Sequence, residues 1–303
     1  MRNIFLAGGV ALVSMVLSCG AQAQTQSPAL TGTLKKIADT NQITLGVRDA
    51  SFPFSYFDNN HNTIGYSQDI AMKIVDEVKK ELHRPNLEVK TVPITSQNRI
   101  PLTMNGTIDL ECGSTTNTFE REKQVAFSNS IFLYGVRMVS KKSSHINDFA
   151  DLAGKTVAST AGTSDEKWLR KINEEKHMNM QVISPKEHSQ AFMDVESGRA
   201  VAFVMDEPLL YGEKAKAAHP DDYVVNGTPD IKENYACMLR KDDAPFKQLV
   251  DKVVARIETS GEAEKLYTKW FLSPTPPNNV NMSYPLSAEM KDLFKHPNDK
   301  ALD

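Results

Sequence analysis

The feature that most constrains the fold of this chain is a repeated order of strand and helix patterns. Apolar residues alternate in Gln42–Asp49, which predicts a strand. In Ser67–Leu82 they recur at intervals of three and four, which predicts a helix with the first serine as its N-cap. A second strand is predicted over Leu87–Ile94, and Ser96 is then predicted to cap a helix that ends at Gly106. Strands that alternate with helices predict an α/β protein with sheets covered on both faces.

The pattern restarts in the middle of the chain and later returns, which indicates two lobes. A strand–helix order begins again after Val136, and a further strand near Asn234 precedes two more helical segments. With 303 residues the chain is also long for a single domain. The predicted boundaries are lobe one at 30–132 and 234–303, lobe two at 137–229, and hinges at about 133–136 and 230–233. The proline-rich segment Ser273–Asn279 predicts the end of regular packing, followed by a short surface tail.

The N-terminus has the features of a secretory signal peptide in the expected order. Arg2 precedes the apolar stretch Ile4–Leu17, and the small-residue pattern Ala21–Ala23 follows. The apolar stretch is shorter than the ~20 residues that a membrane span needs. We therefore predict that residues 1–23 are a signal peptide and that the mature protein is exported and soluble. The alternative is a lipoprotein signal, with Cys19 as the lipid-bearing residue.

Two cysteines, Cys112 and Cys237, remain beyond the predicted leader. In an oxidising compartment, an even pair of cysteines indicates a disulfide. The alternative is two buried thiols that pack as small hydrophobic groups. Two cysteines alone do not supply the four ligands of a structural zinc site.

Composition and motifs argue against several classes of function. A net charge of −3 gives no overall attraction to nucleic acid. The sequence has no G-x-S-x-G elbow, no H-E-x-x-H motif and no Walker loop, and its seven histidines lack metal-ligand spacing. We predict no catalytic residues, no metal and no cofactor.

Short polar residues and cations stand where predicted strands end and helices begin. The side chains in such positions are Arg48, Ser96, Arg99, Ser114, Thr116, Arg121, Thr163, Ser164, His188 and Asp206. Ligands of open α/β sheets bind outside the carboxyl ends of the strands, so these groups are expected to gather in one place. Taken singly, an arginine there is usually solvated, and a serine or threonine there is usually a helix cap. Three arginines and one carboxylate together favour a ligand site.

The segments Ile94–Ser128, Glu196–Asp206 and Ser260–Phe271 carry a specific resemblance to a known family. They are similar to the periplasmic glutamate/aspartate-binding proteins of bacterial ABC transporters, in the polar amino-acid solute-binding family. The resemblance implies a type II periplasmic binding protein, with two hinge-linked α/β lobes of mixed sheet and the ligand cleft between them. It also implies that a periplasmic protein captures L-glutamate and/or L-aspartate and delivers it to inner-membrane ABC permease subunits with their ATPase. The expected state is a monomer that binds no nucleic acid.

The resemblance assigns part of the site to the groups that every α-amino acid carries. It implies that Arg121 holds the α-carboxylate and that Asp206 receives the α-ammonium group. The hydroxyl residues implied to add contacts there are Ser114, Thr116, Thr163 and Ser164. A dicarboxylic amino acid needs two separate anion sites and one carboxylate for its ammonium group.

The remaining candidates are implied to contact the acidic side chain of the ligand: Arg48, Ser96, Arg99 and His188. Arg99 has no acidic neighbour in the sequence, and the ligand carboxylate would be its partner. A planar guanidinium can hold a carboxylate through two hydrogen bonds. The alternative function is an enzyme of the same fold, similar to cyclohexadienyl or arogenate dehydratases, with carboxylates acting in the same cleft.

Overall fold

A computed structural model describes residues 1, 29–229 and 231–302. The predicted signal peptide and the alternative lipid-bearing Cys19 lie outside these residues, apart from Met1. The chain divides into two units, Met1–Leu30 and Thr31–Asp303, and every element named below lies in the second. Within the described part of the chain, no helix combines the length and apolar character that a membrane crossing needs.

Twelve strands lie in the described residues: β1 (Gln42–Val47), β2 (Ala50–Ser51), β3 (Ser55–Phe57), β4 (Thr63–Ile64), β5 (Glu88–Pro93), β6 (Leu110–Glu111), β7 (Val125–Lys141), β8 (Thr156–Ala158), β9 (Gln181–Ile183), β10 (Ala202–Asp206), β11 (Tyr223–Asn226) and β12 (Lys232–Arg240). The first two predicted strands form as β1 and β5. The predicted restart after Val136 is confirmed by β8, β9 and β10, each of which precedes a helix.

The same residues contain ten α-helices: α1 (Gly32–Thr40), α2 (Tyr66–Glu81), α3 (Arg99–Met104), α4 (Phe119–Glu122), α5 (Ser164–Glu175), α6 (His188–Glu196), α7 (Glu207–Lys216), α8 (Ala244–Thr259), α9 (Glu262–Phe271) and α10 (Ala288–Lys295). The two helices predicted after the strand near Asn234 form as α8 and α9. The apolar face of α8 is buried because its hydrophobic residues recur at helical spacing.

β7, which is 17 residues long, joins two groups of strands. In the first group, β1 pairs in parallel with β5 and β6, and β12 pairs antiparallel with β6 and with most of β7. In the second group, β8 pairs in parallel with β9 and β10, and β10 and β11 pair antiparallel with the last part of β7. We call these groups the β1 half and the β10 half.

The direction of the strands brings the two halves' carboxyl ends together. β7 runs antiparallel to β10 but in the same direction as β1 and β6. Asp206, at the end of β10, therefore lies opposite Val136 in the register of β7. Thr116, beyond the end of β6, bridges to Tyr235, whose partner on β7 is Phe132. Strand ends from both halves thus converge near the middle of β7, where a ligand site is expected.

Two predicted N-caps, Ser67 and Ser96, are wrong. α2 begins after Gly65, whose φ of 137° is readily adopted only by glycine. The Ser67 hydroxyl instead donates to the Gly113 carbonyl at 2.7 Å. α3 begins after Asn98, and the Ser96 hydroxyl accepts a hydrogen bond within the site described below. In both cases the serine hydroxyl is hydrogen-bonded to a buried group elsewhere in the fold and does not cap the helix.

The prediction of a surface tail beyond the prolines is also wrong. Met290, Leu293 and Phe294 form an apolar stripe on α10, and their exposed fractions are 1%, 4% and 3%. α10 packs on α8 and β7. The Ser287 hydroxyl caps the helix by accepting from the Met290 amide at 3.1 Å.

Cys112 and Cys237 are joined by a disulfide with an S–S distance of 2.05 Å. Cys112 directly follows β6 and Cys237 lies in the adjacent β12. The prediction of a disulfide is confirmed, and the alternative of two free buried thiols is not. The bridge fixes the sheet next to the loop that supplies Ser114 and Thr116.

Candidate ligand-binding site

The ten candidate residues lie at the convergence of strand ends from the β1 and β10 halves. Nine of them are buried, and Ser164 is half-buried. Those supplied by the β1 half and the helices that follow its strands are Arg48, Ser96, Arg99, Ser114, Thr116 and Arg121. Those supplied by the β10 half are Thr163, Ser164, His188 and Asp206. Hydrogen bonds link the two sets directly.

Arg48 is fully buried and carries its own counterion. One terminal nitrogen donates to the Ser96 hydroxyl at 3.0 Å, and the other pairs with the Glu187 carboxylate at 3.0 Å. Its Nε has no partner. Glu187 immediately precedes α6, so the ion pair joins the β1 half to the β10 half. Much of the Arg48 charge is therefore balanced by the protein itself.

Arg99 is buried without a direct ionic partner. Its Nη1 donates to the Ser114 carbonyl at 3.0 Å and to the Thr115 hydroxyl at 2.7 Å. Thr115 in turn donates to the Glu111 carboxylate at 2.6 Å. Among the described residues, no carboxylate oxygen lies within 4.0 Å of this guanidinium. Burial, with Arg121 nearby, lowers the pKa of Arg99 to about 9.

Arg121 also lacks a carboxylate partner within 4.0 Å in the described part of the chain. Its Nη1 donates to the Thr116 carbonyl at 2.9 Å, and its Nη2 donates to the Gly162 carbonyl at 3.4 Å. Gly162 lies in the loop that precedes α5, so this contact also joins the two halves. Arg121 is buried, with 9% of the residue exposed.

A cluster of hydroxyl groups surrounds Glu233 where the halves meet. Thr116 Oγ1 lies 3.0 Å from Ser164 Oγ and 2.9 Å from the Tyr134 hydroxyl. Ser164 and Tyr134 both donate to Glu233 Oε2, at 3.0 and 2.9 Å. Burial raises the pKa of Glu233.

Asp206 accepts a hydrogen bond from the Tyr235 hydroxyl through Oδ2, and its Oδ1 has no partner. Neither oxygen of Asp165, the next buried carboxylate, has a partner among the described residues. Carboxylate oxygens of Asp165, Asp206 and Glu233 lie within 4.8 Å of one another. Burial, with Glu233 nearby, raises the pKa of Asp206 to about 7. We call these three residues the acidic cluster.

His188 and Thr163 have partners that define what each side chain can still do. His188 Nδ1 lies 2.8 Å from Thr160 Oγ1, and no partner of its buried Nε2 lies in the part of the chain that the structure describes. Burial, with Arg48 and Arg99 nearby, lowers the pKa of His188 well below its usual value, so the ring is neutral. Thr163 is the N-cap of α5 and accepts from the Glu166 amide at 3.1 Å. The simpler prediction of a helix cap is therefore right for Thr163.

The sequence left several residues of this region without a role: Tyr134, Asp165, Glu187, Glu233 and Tyr235. Asp165 and Glu187 adjoin the predicted site residues Ser164 and His188, so their place in the sequence was a usable signal. The other three lie inside strands, where alternation predicts burial but says nothing of a polar partner. Only the pairing of β12 with β7 brings them to the site.

The arrangement suits a small zwitterion with an additional negative charge. Within the described residues, two buried guanidinium groups lack carboxylate partners, and buried carboxylates that include Asp165 and Asp206 keep oxygens without donors. Buried charges are stable only when they are paired, so a ligand of complementary charge would complete both sets. Two α/β halves with a charged site between converging strand ends define the class of periplasmic binding proteins.

Comparison with known proteins places the chain within that class. Residues 43–273 match the profile of the bacterial extracellular solute-binding proteins, family 3, and the chain belongs to this family. A crystal structure of a mutant of ArgBP from T. maritima has a TM-score of 0.69 and 28% sequence identity, and covers 78% of this chain and 98% of that one. The predicted fold class, a two-lobe type II periplasmic binding protein, is confirmed.

Two curated relatives are similar along nearly their whole length. The chain is 55% identical over 294 residues to the glutamate/aspartate import solute-binding protein of Escherichia coli, covering 97% of each chain. It is 53% identical to the L-glutamate/L-aspartate-binding protein of Pseudomonas aeruginosa, covering 97% of this chain and 96% of the relative. The predicted resemblance is thereby confirmed.

Proposed function

We propose that this protein captures L-glutamate and/or L-aspartate and delivers it to an ABC amino-acid permease. The observation that carries the proposal is the pair of buried guanidinium groups, Arg99 and Arg121, without carboxylate partners in the described residues, beside the open oxygen of Asp206. A dicarboxylic amino acid supplies one carboxylate for each arginine and an ammonium group for the aspartate. The functions of the two glutamate/aspartate relatives support the same conclusion.

For the groups common to all α-amino acids, we propose that Arg121 binds the α-carboxylate and Asp206 the α-ammonium group. The proposed additional contacts come from Ser114, Thr116, Thr163 and Ser164. The Ser114 hydroxyl is buried without a partner, which makes it available to a ligand. Thr163 already caps α5, and its contribution is to fix the start of the helix against the ligand.

For the acidic side chain, the proposed contacts are Arg48, Ser96, Arg99 and His188. Arg99 is the principal counterion in this proposal, because the charge of Arg48 is already paired with Glu187. Neutral His188 offers its unpartnered Nε2 as a hydrogen-bonding group. Glutamine brings no charge to this side of the site, and it would leave the Arg99 guanidinium without compensation.

The family is extracellular, and this chain is accordingly a periplasmic protein. Its permease partners are proposed to include the ATPase subunits, and the binding protein itself is proposed to be a monomer. We further propose cleavage of a signal peptide after Ala23 and no lipid on Cys19. The lobe boundaries are proposed as above, at 30–132 with 234–303, and at 137–229.

The enzyme alternative, similar to cyclohexadienyl or arogenate dehydratases, is not favoured, and the protein is not an enzyme. The two relatives described above are import and binding proteins along almost the whole chain. The buried carboxylate of Asp206 is accounted for by the ammonium group of an amino acid.

The proposed function is tested by calorimetric titration of the purified mature protein with each common amino acid. Glutamate or aspartate should bind tightly, and glutamine should bind far more weakly. Tighter binding of an uncharged or cationic amino acid would overturn the proposal, and so would consumption of a prephenate-like compound by the protein.

A further inference from the structure

We propose that Asp165 and Asp206 hold a proton between them in the ligand-free protein, and that the α-ammonium group of an incoming amino acid displaces this proton into solvent. Capture of the ligand would then release a proton. The inference rests on the proposed function, because it needs an amino acid whose ammonium group reaches Asp206. It adds a role for Asp165, which no part of the proposed function uses.

The geometry of the acidic cluster is the basis of this inference. Asp165 is 0% exposed and Asp206 is 1% exposed. Their oxygens and those of Glu233 lie within 4.8 Å of one another. Both oxygens of Asp165 and one oxygen of Asp206 have no hydrogen-bond partner among the described residues. Buried carboxylate oxygens normally accept hydrogen bonds, and a proton shared between the two aspartates would supply a donor to these oxygens.

The groups that face this pair do not neutralise it. Tyr235 donates to Asp206, while Tyr134 and Ser164 donate to Glu233. The charged and titratable groups around the pair are Glu233 and Tyr235 from β12, Tyr134 from β7, Arg121 from α4 and Arg99 from α3. Within the described residues, no cationic nitrogen lies within 4.0 Å of any of the three carboxylates. Three buried carboxylates this close together cannot all be ionised unless a cation lies among them. Without a cation, at least one of them must hold a proton.

An ammonium group changes which protonation state is favoured. Burial and the neighbouring carboxylates raise the pKa of both aspartates above their usual value. A bound cation stabilises the ionised carboxylates, so their pKa falls and the shared proton leaves for the buffer. One positive charge replaces another, and the net charge of the cluster is unchanged. Binding should therefore weaken as the pH falls, because protons compete with the ammonium group.

The test is calorimetric titration of the mature protein with L-glutamate at one pH near 7, in phosphate and in Tris. These buffers differ in their heat of ionisation, so the difference in binding heat counts the protons released. We expect release approaching about one proton for each glutamate, and about tenfold weaker binding for each unit of lower pH where release is complete. Equal heats in the two buffers would overturn the inference.

The variant that tests the role of Asp165 is Asp165→Asn. Without its like-charged neighbour, Asp206 should ionise more readily, and the number of protons released should fall clearly below that of the wild type. The matched control is Glu258→Gln, which removes a buried carboxylate of α8 that also lacks partners. This control should release as many protons as the wild type.

Three results would contradict the proposal. Proton release by Asp165→Asn equal to that of the wild type would exclude the shared proton. A glutamate affinity that depends on the Na⁺ or Ca²⁺ concentration, and not on pH, would show that a metal ion occupies the cluster. No binding heat with glutamate or aspartate would overturn the proposed function, and this inference with it. If Asp165→Asn does not fold, the proposal is decided by the wild type alone, from the difference in glutamate binding heat between phosphate and Tris.

Discussion

At the scale of single residues, the site depends on which buried charges are paired within the protein. Arg48 has Glu187 as its partner, whereas the partners of Arg99 and Arg121 among the described residues are carbonyl and hydroxyl oxygens. The sequence indicated that all three arginines lie where strands end or helices begin, but it did not show that Arg48 has a partner within the protein. No local pattern distinguishes a paired arginine from an unpaired one, because the partner of Arg48 is 139 residues away.

The ion pair between Arg48 and Glu187 leads to a prediction for Glu187→Gln. Removing the carboxylate leaves a fully buried guanidinium without a counterion, and breaking such a pair costs about 3–5 kcal/mol. The ligand-free variant should therefore melt at a lower temperature than the wild type. Glutamate brings a carboxylate to the same region, so it should raise the melting temperature of the variant more than that of the wild type. Thermal unfolding with and without glutamate measures both effects.

The control for this variant is Glu262→Gln, because Glu262 pairs with Lys73 at the partly exposed surface. An ion pair of this kind contributes about 0–1 kcal/mol, so the control should behave like the wild type. Unchanged melting of Glu187→Gln, with and without glutamate, would show that the buried pair has no such role.

A second residue-scale prediction concerns Glu258, a buried carboxylate whose oxygens have no hydrogen-bond partner in the described part of the chain. Burial raises its pKa from 4.5 to about 9. The folded protein therefore holds a proton that the unfolded chain loses above about pH 4.5, and stability falls as the pH rises from there to about 9. Glu258→Gln removes this loss of stability with pH, which is on the order of 1 kcal/mol of the free energy of unfolding for each pH unit. The difference in melting temperature between variant and wild type should grow from pH 5 to pH 9, and parallel curves would contradict the assignment.

At the scale of elements, the strand–helix order was predictable because hydrophobic periodicity is a local property. Local sequence patterns do not predict the structure where tertiary contacts determine the partner of a side chain. Ser67 and Ser96 look like caps in sequence, but each has a buried partner elsewhere in the fold. α10 was missed because prolines precede it, although Met290, Leu293 and Phe294 have helical spacing. The helical spacing of these apolar residues, and not the proline-rich composition before them, determines the structure of this segment.

The packing of α10 leads to a prediction for Phe294→Ala. The ring is 3% exposed, and truncating a buried phenylalanine costs about 3–5 kcal/mol of the free energy of unfolding. Urea denaturation should show this loss with the slope unchanged. The matched control is Lys291→Ala on the exposed face of the helix, which should stay within about 0.5 kcal/mol of the wild type. A loss of similar size in both variants, or in neither, would contradict the packed position of the helix.

At the scale of the whole molecule, polar contacts join the two halves around the buried charges of the site. Glu187 meets Arg48, Gly162 meets Arg121, and Ser164 meets Thr116, always with one partner from each half. Bringing Arg99 and the acidic cluster out of water without counterions is unfavourable. Under the proposed function, the ligand would supply the charges that make closure of the halves favourable, as in hinge-bending binding proteins.

Closure of this kind should be visible in solution by small-angle X-ray scattering. Saturating glutamate should lower the radius of gyration, because it supplies counterions to groups that otherwise favour an open, hydrated arrangement. Glutamine at the same concentration should have a smaller effect. Identical scattering with and without glutamate would contradict ligand-driven closure.

The central claim is that Arg99 selects acidic side chains, while Arg121 binds a group common to all α-amino acids. The most direct test is the ratio of glutamate to glutamine affinity in the wild type, Arg99→Met and Arg121→Met, measured by calorimetry. Losing a charged hydrogen-bond partner costs about 2–5 kcal/mol, so glutamate affinity should fall by roughly 30- to several-thousand-fold in Arg99→Met. Glutamine should lose much less in that variant, whereas Arg121→Met should weaken both ligands together. Equal ratios in the two variants, or wild-type glutamate affinity in Arg99→Met, would contradict the claim.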